Sequence, residues 1–383
     1  MVRFLTLSLI LCAQPMIAVS SEQKTGITAD GTLHLPAFDL PESSFLSQET
    51  RAALKRERDV YSKEDTANAC PSFEGAAHKD IPSIRQCLAD AFYKTSSYQT
   101  MMTHYPVNMT PEIIGGVYTE VFTPIKGVAP KNRDRVLINL HAGALMWGSR
   151  TLSHLESIPI ASVGNIKVIS VDYRMGPEFV FPAASEDVAS VYRELLKDYK
   201  PENIGIYGNS GGAMLVAQAM AWFQQENIPL PGAVGMFFSG APTAFDGDRY
   251  KWGKSDSAYV TEAIREARSP GTGFGIWERL FGPGHTYFKG LQRGGPLDSP
   301  GSYDNIMAKF PPTLLINGGL RDFSLSMVMV THAQLVRLGV EADLHIWEGM
   351  SHIFQNNPEF PESREAYNVT VKFFDTHLGD ELQ

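Results

Sequence analysis

From Val117 onward the chain alternates short apolar runs with helix-forming stretches, and that alternation narrows its architecture to one class. The runs fall at Val117–Thr123, Val136–Leu140, Ile166–Val171, Ile204–Tyr207, Ala233–Phe238, Thr313–Ile316 and Ala342–Trp347. Helical composition marks Ala184–Asp198, Gly211–Gln225, Leu325–Leu338 and Glu362–His377. Short, mainly apolar strands separated by helices predict an α/β fold, a doubly wound and mostly parallel sheet covered on both faces. Function then belongs at the carboxyl ends of the strands.

Two stretches depart from the alternation. From Ser44 to about Tyr98 the pattern is helical, with helix formers over Gln48–Tyr61 and apolar residues at three- and four-residue spacing over Ile84–Phe92. About 241–310 shows no strand and is rich in Pro, Gly and aromatic residues, among them Trp252, Phe274, Trp277, Phe281, Tyr287 and Phe288. So long a stretch between strands is usually functional. We therefore expect a linker and helical cap segment over 21–110, with a turn-rich tether at 21–40. A catalytic domain follows over 111–383, and its insertion at 241–310 covers the site together with the N-terminal helices. The aromatic residues serve equally well as the cap's own small core.

With 383 residues, 43% hydrophobic and 20% charged, the chain can bury one large α/β core with an appended cap. A formal charge of -9 leaves no basic footprint, so nucleic acid and anionic membrane are not expected partners. Residues 1–20 read as an export signal: Arg3 supplies a positive charge, Phe4–Ala18 is almost wholly apolar, and Ala18-Val19-Ser20 offers small residues for cleavage after about Ser20. The apolar stretch is shorter than a bilayer span. A lipid anchor through Cys12 is disfavoured by the bulky Leu11 before it. Removal of the signal leaves Cys70 and Cys87, which in an oxidising compartment are expected to pair; two separate buried thiols are the alternative. No metal site is expected.

The chemistry is carried by Gly208-Asn209-Ser210-Gly211-Gly212. It lies between an apolar run and a helical stretch, so it reads as strand, sharp turn and helix with a serine at the apex. Flanking glycines keep Cβ atoms off the neighbouring strand and helix, and the helix N-terminus favours negative charge at the serine. A serine hydroxyl needs a base, and the base needs a carboxylate to fix its tautomer. After the serine, Asp322 follows the run Thr313–Gly318, and His352 follows Leu344–Trp347. His345 lies within the strand pattern. Asp343 opens that strand, and Glu348 is too near His352 in sequence to approach its ring comfortably from behind. A role for Asp322 merely in capping the helix near Ser324 would leave His352 without a partner. For the oxyanion, the small-residue loop His141–Gly148 offers backbone amides. Gly143, Ala144 and Gly211 are the expected donors, and His141 is expected to support the loop by side-chain hydrogen bonds.

Taken together, the loop His141–Gly148, the stretch Val171–Glu178 followed by Phe181-Pro182-Ala183-Ala184 and Glu186-Asp187, and the elbow at Ser210 resemble the hormone-sensitive-lipase-like family of α/β-hydrolases. The resemblance runs from about residue 115 to the C-terminus. It implies a triad of Ser210, Asp322 and His352, an oxyanion hole of Gly143, Ala144 and Gly211, and no metal or organic cofactor. Departures from the family pattern are Ala142 and Ala144 where glycines are usual, Asn209 where an acid commonly precedes the nucleophile, and Phe323-Ser324 after Asp322. The two alanines narrow the loop against bulky alcohols. The Arg321-Asp322-Phe323 and Gly339–His352 stretches look most similar to bacterial carboxylesterases and monoterpene ε-lactone hydrolases.

The implied function is a serine carboxylesterase acting on short to medium acyl esters or lactones. Alternatives are a serine peptidase of the same fold, since prolyl-peptidase relatives share G-x-S-x-G-G, and a non-catalytic binding protein on this scaffold. Many members of the family pair through a sheet edge, so a homodimer is also an expectation. Asn108-Met109-Thr110 and Asn368-Val369-Thr370 are glycosylation sequons, meaningful in a eukaryotic host.

Overall fold

The computed structural model describes residues 26–31, 33–34, 41–61, 70–71, 78–241, 287–292 and 294–379. The expected export signal lies outside them, as do Trp252, Phe274, Trp277 and Phe281 of the expected insertion. Within the expected tether, Gly26–Ile27 (β1) and Leu33–His34 (β2) pair antiparallel as a small unit of their own. The second unit begins at Ser43.

That unit is built on an eight-stranded sheet. Its strands are Val107–Ile114 (β3), Val117–Pro124 (β4), Val136–Leu140 (β5), Lys167–Val171 (β6), Ile204–Asn209 (β7), Ala233–Phe237 (β8), Thr313–Asn317 (β9) and Ala342–Ile346 (β10). The spatial order is β10-β9-β8-β7-β5-β6-β4-β3. The pairs from β10 to β6 are parallel, and β4 pairs antiparallel with both β6 and β3.

Strand β3 is absent from the sequence reading, and the boundary drawn between 110 and 111 falls inside it. Pro111 and a mostly exposed face hide its alternation, and an edge strand tolerates a proline that a central strand would not.

The inner strands send alternate side chains to two apolar layers. Val136, Ile138 and Leu140 of β5 join a layer formed with Ala183–Leu195 (α5) and Gly211–Gln225 (α6). Leu137 points to the other layer, formed with Leu152–Gly164 (α4) and the C-terminal helix Pro361–His377 (α8). Tyr287 and Phe288, expected in the cap, are fully buried in the first layer. The Tyr287 hydroxyl accepts from the Ala184 amide, and its carbonyl accepts from Phe181. They therefore belong to the main core.

The N-terminal helices are Gln48–Tyr61 (α1), Ile81–Phe92 (α2) and Ser96–His104 (α3). Thr95 caps α3 by accepting from the Tyr98 amide. Cys70 and Cys87 are joined in a disulfide that ties α2 to the chain before it. Leu325–Arg337 (α7) packs beside β9 and β10. Among the described residues, no helix is long and apolar enough to cross a membrane.

Candidate active site

The sheet brings three separate loops together at its carboxyl edge. At the end of β7 the chain turns sharply through Ser210, whose φ of 52° and ψ of -115° place it in a region L-residues rarely adopt. The turn is pinned because the Ser210 amide donates to the Phe237 carbonyl of β8 at 2.8 Å. It also requires glycine at two points. A Cβ on Gly212 would stand 1.8 Å from the Leu140 carbonyl oxygen, and one on Gly208 would stand 2.5 Å from the Gly212 carbonyl carbon. The helix can thus start directly over the strand.

His352 lies in the loop after β10. Its Nε2 is 2.9 Å from Ser210 Oγ, and its Nδ1 is 3.0 Å from Asp322 Oδ1. The ring packs between Phe238, edge-on at 5.7 Å, and Phe323 at 4.3 Å, and is 3% exposed. Asp322 follows β9 and is fully buried. A buried carboxylate needs donors, and it has them. Oδ1 accepts from the Ser324 amide at 2.8 Å and the Ser324 hydroxyl at 2.7 Å, while Oδ2 accepts from Asn317 Nδ2 at 2.9 Å. Asp322 thus serves the start of α7 and the histidine with the same oxygen, so the two roles weighed from the sequence coexist. The other candidates stay apart: Asp343 is exposed on β10, His345 stacks on Trp347, and Glu348 accepts from the Leu320 amide.

The loop after β5 faces the serine. Gly143 has a φ of 113°, Ala144 of 56° and Leu145 of 59°, a run of left-handed backbone that turns successive amides the same way. A Cβ on Gly211 would lie 2.9 Å from the Ala144 nitrogen, so the loop and the first turn of α6 are in close approach. Among the described residues, none accepts a hydrogen bond from the amides of Gly143, Ala144 or Gly211. Of the two alanines that replace glycine, Ala142 is buried and Ala144 is partly exposed.

Supports for this loop come from several directions. His141 is fully buried, stacks on Tyr173 at 4.2 Å, and places Nδ1 2.7 Å from the Ala142 carbonyl. Desolvation pushes its pKa down, so the ring is held neutral.

From α2, Arg85 donates Nε to the Met146 carbonyl at 2.5 Å. Its other nitrogens bond the Gly176 carbonyl and both oxygens of Glu178. It joins the helix tied by the disulfide to the loop that carries the free amides, a role the sequence reading missed. The only signal was a lone basic residue beside Cys87.

The carboxyl of Glu156, on α4, lies under the same loop and accepts from the Ala142 amide at 3.1 and 3.3 Å and from Asn139 Nδ2 at 3.2 Å. Burial raises its pKa from 4.5 to about 8, against the lowering effect of these hydrogen bonds, so it carries its proton at neutral pH. The sequence reading missed it as well. Its trace was one acid amid the apolar residues of 152–161.

Among the described residues, no group of three His, Cys, Asp or Glu is gathered to hold a metal ion.

An α/β sheet with a serine, a histidine and an aspartate hydrogen-bonded in line at its carboxyl edge, beside unspent backbone amides, has the architecture of a hydrolase. The sequence model of the alpha/beta hydrolase fold family matches residues 137–356, and the chain belongs to that family. It is 28% identical over 273 residues to an acetyl-hydrolase of Streptomyces hygroscopicus, a match covering 70% of this chain and 85% of that protein. The crystal structure of an esterase, E25, superposes with a TM-score of 0.71 at 28% identity, over 91% of this chain and 99% of that one. An esterase from the bacterial hormone-sensitive lipase family superposes with a TM-score of 0.65 at 24% identity, over 87% and 99%, and shares the fold.

Proposed function

We propose that this ester-hydrolysing enzyme is a serine carboxylesterase that works through an acyl-enzyme on short to medium acyl esters or lactones. The observation that carries the reading is the unbroken hydrogen-bonded line from Asp322 through His352 to Ser210, ending beside three amides that have no other acceptor among the described residues.

In this mechanism Ser210 Oγ attacks the ester carbonyl carbon while its proton passes to His352 Nε2. The oxygen that becomes negative is met by the amides of Gly143, Ala144 and Gly211, donors of a kind typically worth about 3 kcal/mol each. Asp322 holds the imidazole in the tautomer that leaves Nε2 free to accept, and stabilises the imidazolium. As the tetrahedral species collapses, the C–O bond to the alcohol breaks and Nε2 returns the proton to the leaving oxygen. Water then repeats the sequence and releases the acid. Ala144 is the partly exposed alanine of the loop, so any restriction on bulky alcohols falls to it.

The same proposal assigns residues 1–20 to an export signal, and the Cys70–Cys87 disulfide supports an oxidising compartment. It assigns the insertion at 241–310, apart from residues such as Tyr287 and Phe288 that join the main core, and the N-terminal helices to the cover of the site. Pairing into a homodimer is proposed at the β10 edge, where Ile346 is exposed and Val330 and Val336 of α7 are exposed nearby.

The test is hydrolysis of p-nitrophenyl esters from acetyl to palmitoyl by the protein and by its Ser210→Ala variant. Activity that peaks at short chains and vanishes in the variant is expected. A folded variant that keeps its turnover refutes the nucleophile.

A further inference from the structure

Glu156 is 2% exposed, yet it takes no part in the proposed chemistry. Its position singles it out. Its carboxyl accepts from Ala142, the residue immediately before two of the three oxyanion donors, and from Asn139 of β5. The side chain of Asn209, the residue before the nucleophile, lies beside the same carboxyl. The Asn209 carboxamide oxygen accepts from Gln355, three residues past His352, and its buried Nδ2 is turned to the Glu156 carboxyl. One carboxyl therefore adjoins the backbone of the oxyanion loop and the side chain next to the serine.

We propose that Glu156 is a positioning residue that sets the oxyanion loop and the nucleophile elbow from below, and that it does so as a neutral carboxylic acid. The inference rests on the reading of Ser210 as the nucleophile.

Several observations favour the neutral form. Among the described residues no lysine, arginine or histidine pairs with the carboxyl, so burial keeps the proton on it up to a pH of about 8. None of the described ionisable groups around it pairs with the carboxyl. Tyr207 of β7, whose hydroxyl donates to the Glu156 carbonyl, and Tyr173 after β6 are both held far above the usual phenol range, first by burial and then by Glu156 itself. His141, at the end of β5, is neutral. On α4, His154 is engaged by Glu120 of β4 and Tyr98 of α3. Tyr367 of α8, the helix packed against α4, is likewise raised by burial and donates to the Gln355 carbonyl.

Asn139 can serve either state. Its carboxamide donates to a carboxylate as drawn and, turned over, accepts from the acid, with Ser170 Oγ on its far side as partner in both cases. Loss of the proton changes two things. It puts a negative charge behind amides that must receive a second one, in a medium that screens poorly. It also tightens the hold of the carboxyl on the Asn209 side chain, pulling on the residue next to the serine.

The test compares wild type, Glu156→Gln and Glu156→Leu in kcat and KM from pH 6 to 10, with Ser210→Ala as reference. Wild type is expected to lose kcat at least tenfold on an alkaline limb centred near pH 8. Glu156→Gln, neutral throughout and able to accept from Ala142, keeps near-wild-type kcat at pH 7 and lacks that limb. Glu156→Leu, which accepts from nothing, loses kcat tenfold or more at pH 7 with KM within twofold. An unchanged limb in Glu156→Gln, an inactive but folded Glu156→Gln at pH 7, or full activity in Glu156→Leu overturns the proposal. Should Glu156→Leu fail to fold, the Gln variant decides alone. Turnover retained by Ser210→Ala would instead overturn the assignment of the nucleophile.

Discussion

A protonated carboxyl at the centre of the molecule leaves a signature in stability that needs no substrate. In the folded protein the Glu156 carboxyl titrates near 8, against 4.5 for the ordinary group. The folded state therefore keeps a proton that the unfolded chain loses above pH 4.5. The sign follows from linkage: this group's contribution is fully present below 4.5 and is lost as pH rises to about 8. At about 1.4 kcal/mol per pH unit the total loss is roughly 5 kcal/mol, of which roughly 3 kcal/mol is gone by pH 7. Glutamine at 156 does not titrate, so the stability of Glu156→Gln minus that of wild type isolates the term, all other groups cancelling. Near 60 °C the unfolding entropy is about 2.1 cal/mol/K per residue, so for a chain of this length the variant should gain about 4 °C in Tm between pH 4.5 and pH 7. A further gain of about 2 °C should follow by pH 8.5, and none beyond it. Differential scanning calorimetry in matched buffers reads this directly. A Tm difference that stays flat from pH 5 to 8.5 would mean that the carboxyl ionises normally, and the reasoning from burial would be wrong.

Other outcomes follow from the supports of the site. Ser324→Ala removes a donor to Asp322 Oδ1 and an acceptor from Asn317, so kcat should fall about tenfold with KM nearly unchanged, the scale of one hydrogen bond to a charged group. Arg85→Met releases Met146, Gly176 and Glu178 together. We expect kcat to drop by an order of magnitude or more and to recover in part when guanidinium ion is added to the assay. Replacing both Cys70 and Cys87 by serine reopens a loop with a sequence separation of 17, and chemical denaturation should show a loss of about 3 kcal/mol.

The strands from β5 to β9 were legible because a covered parallel strand must be apolar on both faces, and that leaves a continuous run such as Val136–Leu140. Their ends moved by a residue or two, as at Lys167 and Asn209. Helix α4 was not legible for the opposite reason. Buried from Leu152 through Ala161, it shows no polar stripe, and Pro159 inside it reads as an interruption. In the site, the order of serine, acid and histidine and their places after successive strands pointed to the three residues the structure brings into line. What supports them was hidden, since Arg85 and Glu156 reach the loop after β5 across sequence gaps of 61 and 14. Contacts of that kind leave no periodicity and no motif.

The helix that closes the chain also seats its beginning. Glu362, in the first turn of α8, accepts from the Ser47 amide at 3.0 Å and from the Thr50 hydroxyl, across sequence separations of 315 and 312. During synthesis α1 leaves the ribosome long before the carboxylate that holds it exists. Until then the Ser47 amide and the Thr50 hydroxyl lack that acceptor. Ser210 precedes the histidine it meets by 142 residues in the same way. A nascent chain released before His352 would carry the strained elbow without the ring that completes the line. Residues 352–362 therefore both bring the imidazole to Ser210 and fasten α1, so the hydrogen-bonded line and the seating of that helix depend on one short stretch of chain.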